Sequence, residues 1–209
     1  LARSIESAIQ DIWRRISAGS AVAVVSTEGG MDDRLFRGKF MPVDWNGFLE
    51  CYSLPMDGQS QAVWEAGTLL ANRDKDSRIL FTALDDTEYL FKESNASVLR
   101  EAMGAATGEE AADLITWGRG NPVLGLRDRI GWVLGDIVHS TPVVVGAPAN
   151  FIAEESYQDF YAAYEDRRRL IYVGANDGML HAFDANTGEE AWAFIPEFAL
   201  TDFDVMADS

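Results

Sequence analysis

Cysteine is almost missing: Cys51 is the only one in 209 residues. No disulfide framework can form within the chain. Zinc-finger, iron–sulfur and c-type haem motifs, which need several cysteines or a cysteine pair at set spacing, are excluded. No run of about 18 apolar residues occurs, so no segment reads as a transmembrane helix. Basic residues are scarce, with 17 Lys and Arg against 34 Asp and Glu and a formal net charge of −17. Such a surface repels phosphate backbones and anionic lipids, which argues against nucleic-acid and membrane-surface roles. It suits cations, basic partners or calcium, and it also serves plain solubility. Phosphate cradles are absent: "GRGNPVLG" (118–125) lacks the lysine and the strand–helix setting of a P-loop. The chain opens on a leucine with no charged-then-apolar leader behind it, so it is expected to be a mature or excised piece.

What is present is a chain that can bury a core, with 47% hydrophobic residues and length for one large or two modest domains. Residues 4–16 place Ile5, Ile9, Ile12 and Ile16 on one helical face with Ser4 as cap, and Gly19 ends that helix. "AVAVVST" (21–27) reads as a β-branched strand, followed by the flexible loop 28–33. "RLFRGKF" (34–40), "GFLECYSL" (47–54) and "QAVWEAG" (61–67) are strand candidates separated by turn-forming stretches, and "RILFTAL" (78–84) is another. The pattern turns helical over about 94–118, where Thr107 and Glu110 form a capping box and Gly118 is a stop signal. Asn95-Ala-Ser97 fits a glycosylation acceptor but falls at a helix start. A strand at 141–146 precedes a helix capped by Ser156, whose Tyr157, Phe160, Tyr161 and Tyr164 form an aromatic face read as core packing.

The stretch "YVGANDGMLHAFDANTGEEAWAFIP" (172–196) holds two tight-turn signals close together. "LIYVG" (170–174), "MLHAFD" (179–184) and "EAWAFI" (190–195) are three antiparallel strands. Gly178 and Gly188 supply positive φ, and Asp184 can accept from the turn amides. With "TPVVVG" in front, this is the content of one propeller blade, and Trp192 on its outer strand can wedge between blades. Upstream, Gly47, Leu49, Gly58 and Trp64 echo Gly178, Leu180, Gly188 and Trp192, which implies a second blade. The domain plan is therefore a helix at 1–18 closing a preceding domain, a first blade at 19–84, a helical insertion and loop at 85–133, a second blade at 134–198 with an inserted helix at 151–167, and a frayed acidic tail at 199–209. Two blades cannot close a ring of about four to eight. The fold class is mainly β, an incomplete β-propeller with helical insertions, completed by a further chain or segment.

These residues carry a family resemblance. "YVGANDGMLHAFDANTGEEAWAFIP", preceded by "VLGDIVHSTPVVVGAP", resembles the PilC/PilY type IV pilus biogenesis factors and tip adhesins. "AIQDIWRRISAGSAVAVVST" is similar to the junction entering that family's C-terminal propeller, and "RLFRGKFMPVDWNGFLECYSL" with "VWEAGTLL" to its first blade. "SRILFT" and "LITWGRGN" also fit its layout. The resemblance covers roughly residues 5–198 and implies an extracellular, non-enzymatic protein at the pilus tip or outer membrane surface. It would work with minor pilins, promote assembly against retraction, and bind a host or abiotic surface. The family's EF-hand-like calcium loop is not matched: Asp177, Asp184, Asn186 and Glu189 are the available oxygen ligands, but "DANTGEE" is too short and lacks the closing bidentate glutamate. No cofactor is expected in this chain, and calcium is assigned to the rest of the propeller. The family's von Willebrand-like N-terminal region has no counterpart beyond its final helix.

Asp184, Thr187, Gly188 and Trp192 form a signature shared with quinoprotein dehydrogenases and outer-membrane assembly lipoproteins. An envelope-assembly scaffold is the first alternative reading and a quinoprotein fragment the second, although a quinone would need the axis of a complete propeller. Asp136, His139 and Ser140 cannot converge as a triad from one short strand, because alternate residues face opposite sides. Asp136 reads as a turn cap and Ser140 as a strand start. His139 and His181 read as packed or surface histidines rather than ligands.

Overall fold

The computed structural model describes residues 19–25, 34–42, 44–54 and 61–208. The expected helix at 4–16, the loop at 28–33 and the turn at 55–60 with Gly58 lie outside the described residues. Two open sheets form the frame. The first is a four-stranded antiparallel meander in the order β1-β2-β3-β4, built from β1 (Gly19–Val25), β2 (Arg34–Met41), β3 (Asn46–Ser53) and β4 (Trp64–Glu65). The second contains β5 (Leu80–Leu84), β6 (Thr87–Leu90), β7 (Val143–Val145), β8 (Leu170–Ala175), β9 (Met179–Asp184) and β10 (Glu190–Ile195), in the order β6-β5-β10-β9-β8-β7. Both sheets are open, as an incomplete propeller requires.

Strands β7 to β10 are the expected blade. Its outer edge is not Trp192, because β5 lies alongside β10 in parallel, pairing Phe81 with Phe194. The strand expected to end the first unit therefore belongs to the second sheet. Glu65 explains the departure: its carboxylate accepts from Gly67 N and Thr68 N and caps the helix Ala66–Asn72. That cap cuts the candidate 61–67 strand to two residues and turns the chain away from the first sheet. β5 then folds back as β6 through Asp85 and Asp86, both at positive φ, in a two-residue hairpin loop within the expected helical insertion.

Alternation explains the packing. Ile171 and Val173 of β8 share a face with His181 and Phe183 of β9 and Ala193 and Ile195 of β10. The first sheet covers the β8–β9 part of that face with Phe36, Leu49, Cys51 and Trp64. The helices Ala96–Leu99, Gly108–Arg119, Glu197–Leu200 and Phe203–Ala207 cover the β5–β10 part through Leu99, Leu114, Ile115, Leu200 and Phe203. No helix among the described residues is long and apolar enough to cross a membrane.

Three further expectations are corrected. Thr107 caps its helix by accepting from Glu110 N, but the helix runs through Gly118 to Arg119 and stops at Gly120, at φ 104°. Gly118 is small for packing: a Cβ there would stand 2.6 Å from the Phe203 ring. The tail is not frayed, because Phe203 is buried between Phe91 and Trp117, and Arg127 N donates to Ala207 O. The helix Glu155–Tyr164 buries none of its residues, and Ser156 sits inside its first turn rather than at the cap. Its aromatic face is a surface feature, with Phe160 41% and Tyr164 44% exposed. Phe160→Ser should therefore shift stability by no more than about 0.5 kcal/mol. A large loss in a thermal melt would mean the face is packed after all.

Candidate functional site

Two constructions join the sheets, and both are built from the blade motif. In the first, Asp184 Oδ1 accepts from Asn186 N at 2.8 Å and Thr187 N at 2.9 Å, while Gly188 N donates to Asp184 O. Arg168 Nε donates to Asp184 Oδ2 at 2.6 Å. Burial alone would raise the Asp184 carboxyl, but Arg168 and the amides hold it below the usual aspartate range. The closed turn leaves Gly188 at φ 76° with its α-carbon bare, and the Trp64 ring lies on it. A Cβ on Gly188 would come within 2.6 Å of that ring. Arg34 Nη1 completes the join by donating to Ala185 O. Thus Trp64 and Gly188, from different sheets, form one contact.

Gly47 makes the second join. Asn46 pairs with Gly135, Gly47 N donates to Leu134 O, and Trp132 Nε1 donates to Gly47 O. A Cβ on Gly47 would stand 1.8 Å from Gly135 O, so glycine is required by backbone approach. Gly135 in turn rests on the β8–β9 turn, where Gly178 takes φ 81°. Asp136 Oδ2 accepts from Asn176 Nδ2 at 2.6 Å, so it does fasten a turn, and Ser140 Oγ accepts from Gly174 N.

A charge cluster lies beneath these joins. Arg78 donates from Nε and Nη2 to both oxygens of Glu190, each at 2.8 Å. His181 Nδ1 is 2.8 Å from Glu190 Oε1, and its Nε2 is 3.1 Å from Asp177 Oδ2. Asp177 also accepts from Gly135 N and Met179 N. All four side chains are buried. Both ring nitrogens of His181 face carboxylates, so the cationic ring satisfies both as a donor. Burial would lower its pKa, but Asp177 and Glu190 raise it to about 9. Burial likewise opposes ionisation of Glu190, and Arg78 with His181 holds it far below the usual range.

The cluster predicts a pH dependence. The folded pKa of His181 lies above its ordinary 6.5, so its contribution to stability is complete below that pH and is lost as pH rises towards about 9. The melting temperature should fall by several degrees across this window, and His181→Gln should flatten the slope. An unchanged slope in that variant would rule out His181 as its source.

Of the proposed metal ligands, Asp177 lies at one end of β9 in this cluster, and Asp184 at the other end is committed to its turn and Arg168. Asn186 and Glu189 are exposed, and the four are not brought together. No group of three or more His, Cys, Asp and Glu among the described residues could hold a metal. His139 is exposed, whereas His181 is packed, stacked on the Phe183 ring with a carboxylate at each ring nitrogen. Sequence reading missed Glu190 and Arg78. They are 112 positions apart, and no local pattern couples them.

Comparison with known proteins agrees with this geometry. The PilY1 beta-propeller domain model matches residues 134–208, the segment that supplies β7 to β10. A type IV pilus biogenesis factor PilY1 homolog of Xylella fastidiosa is 51% identical over 88 residues, 39% of this chain and 7% of that protein. The type IV pilus biogenesis factor PilY1 of Pseudomonas aeruginosa strain UCBPP-PA14 is 29% identical over 235 aligned residues, covering 94% of this chain and 19% of the relative. The chain thus spans less than a fifth of the length of these curated relatives. No solved structure matches significantly. The blade motif and its docked turns thus lie in the segment that is similar to the PilY1 beta-propeller domain, and over nearly its whole length the chain is similar to a type IV pilus biogenesis factor.

Proposed function

We propose that the chain acts by binding, as part of a type IV pilus biogenesis factor and tip adhesin outside the cell. The observation that carries this reading is the family match falling on the blade, supported by relatives named as pilus biogenesis factors. Among the described residues, the one buried histidine has both ring nitrogens occupied by carboxylates. The partners of this reading are minor pilins and a host or abiotic surface. Calcium, if used, binds in the remainder of the propeller. The acidic surface favours cationic partners, so binding should weaken as salt rises. The test is deletion of the gene in its own bacterium, with surface pili counted by electron microscopy and attachment measured separately. Loss of pili, restored by the intact gene, supports the assembly role. Weaker attachment per pilus supports the adhesin role. Normal piliation and attachment would refute both.

A further inference from the structure

Four non-glycine residues take positive φ among the described residues. Asp85 and Asp86 do so in a hairpin loop, where short polar side chains tolerate the left-handed region. Trp45 at φ 53° and Ile130 at φ 52° are a different case, being bulky and, for Ile130, β-branched. Both are also exposed, at 56% and 84%. Each is thus unfavourable twice, by backbone and by exposure. The two border one cavity of about 430 Å³, set beside the Asn46–Gly135 pairing.

Strain of this kind persists only where the surroundings hold it, and it collects at ligand sites. The holds are visible on both sides. The Trp45 ring lies parallel to Phe40, with 3° between the planes and centroids 5.9 Å apart. Asp128 Oδ1 accepts from Ile130 N at 2.8 Å. Between these two residues Arg129 donates to Val133 O and Trp117 O and lies 3.7 Å over the Trp117 ring. The cavity is therefore preformed, and its volume falls in the roughly 300–1,000 Å³ range of small-molecule sites.

The lining decides the ligand class. It brings the carboxylates of Asp44, Asp128 and Asp136 together with the guanidiniums of Arg127 and Arg129, while Asp177 is taken up by His181. Three negative charges against two positive nearly cancel, so the cavity selects neither a cation nor an anion. What remains is an exposed indole beside mixed acceptors and donors. Asp136 is committed to Asn176, but the side chains of Asp44 and Arg127 make no hydrogen bond to a described residue. A neutral saccharide matches this set. Its hydroxyls both donate and accept, and the C–H groups on one face of its ring pack on an aromatic surface.

We infer that the cavity flanked by Trp45 and Ile130 is a saccharide-binding site, in which the Trp45 indole carries the sugar ring and Asp44 and Arg127 hold its hydroxyls. The inference deepens the surface-binding part of the proposed function by naming a ligand class, and the purified protein tests it whether or not that part holds.

The test is saturation-transfer NMR on the purified full-length protein. The probes are the methyl glycosides of glucose, galactose, mannose and N-acetylglucosamine, with Nα-acetyl-lysine methylamide as a cationic reference. At least one glycoside should take up saturation, as strongly in high salt as in low. Trp45→Gly should weaken its binding by about tenfold or more. The same variant should keep its melting temperature within about 2 °C, because relief at φ 53° offsets the lost contact with Phe40. Trp45→Phe should retain part of the affinity, since a ring remains. Transfer to none of the glycosides, transfer undiminished in Trp45→Gly, or stronger and salt-sensitive transfer to the lysine derivative would each overturn the proposal. A larger fall in the melting temperature of Trp45→Gly would overturn it too, by making the ring a structural part of its turn. Pilus counts and attachment of bacteria carrying Trp45→Gly report on the proposed function separately.

Discussion

Glu190→Ala should lower stability by about 3–5 kcal/mol, a drop in melting temperature on the order of 10 °C for a chain of this size. The carboxylate accepts two hydrogen bonds from Arg78 and faces Nδ1 of His181, all in a region sealed from water. Removing it leaves the Arg78 guanidinium with no carboxylate and His181 with Asp177 alone, with no solvent to replace the lost partner. Glu190→Gln should cost nearly as much, because its amide NH2 group turns a donor towards donors. The telling variant is the pair Arg78→Met with Glu190→Leu. It removes the desolvation cost together with the attraction, so it should recover most of what Glu190→Ala loses. His181 then keeps Asp177 as its partner. Thermal melts at pH 6 would read all three, and a double variant as unstable as the single would show that the pair does more than balance charge.

The blade was legible because its signals are local. Gly178 and Gly188 announce turns with positive φ, Asp184 its amide partners, and the alternation of 170–174 and 179–184 its strands. The first sheet was legible in part, since Gly47, Leu49 and Trp64 repeat the downstream spacing. What sequence could not supply was pairing across distance. Strand β5 reads as β-forming from its own residues, but nothing in "RILFTAL" states that it will lie parallel to β10. The helix after Trp64 depends on one carboxylate finding two amides, and Glu65 resembles any other strand glutamate until it does. His181 alternates like a core residue and is one. Its partners come from a turn, from the start of β10 and, through Glu190, from a connector beyond the first sheet. The aromatic helix failed in the opposite direction: periodicity shows a shared face and does not say what, if anything, covers it.

Trp64→Ala should cost about 3–5 kcal/mol, because the ring lies against Phe36 on one side and the Gly188 turn on the other, and its loss opens a cavity between sheets. Trp64→Phe should cost far less, since the indole Nε1 is buried without a hydrogen-bond partner and phenylalanine removes that unpaired donor. The contact itself is measured by adding Gly188→Ala. In the native chain this change places a Cβ within 2.6 Å of the Trp64 ring and strains a residue at φ 76°, so it should be severely destabilising. With Trp64 already alanine the ring clash disappears, the Leu69 methyl at 3.0 Å is the end of a flexible side chain that can shift, and mainly the backbone strain remains, of the order of 1–2 kcal/mol. The two substitutions should therefore be non-additive, with the double variant more stable than the sum of the singles predicts by roughly 1–3 kcal/mol. Additive losses in a double-mutant cycle would mean that the turn and the ring do not bear on each other, and that the sheets are held by their other contacts, the apolar faces and the Arg34 and Gly47 joins.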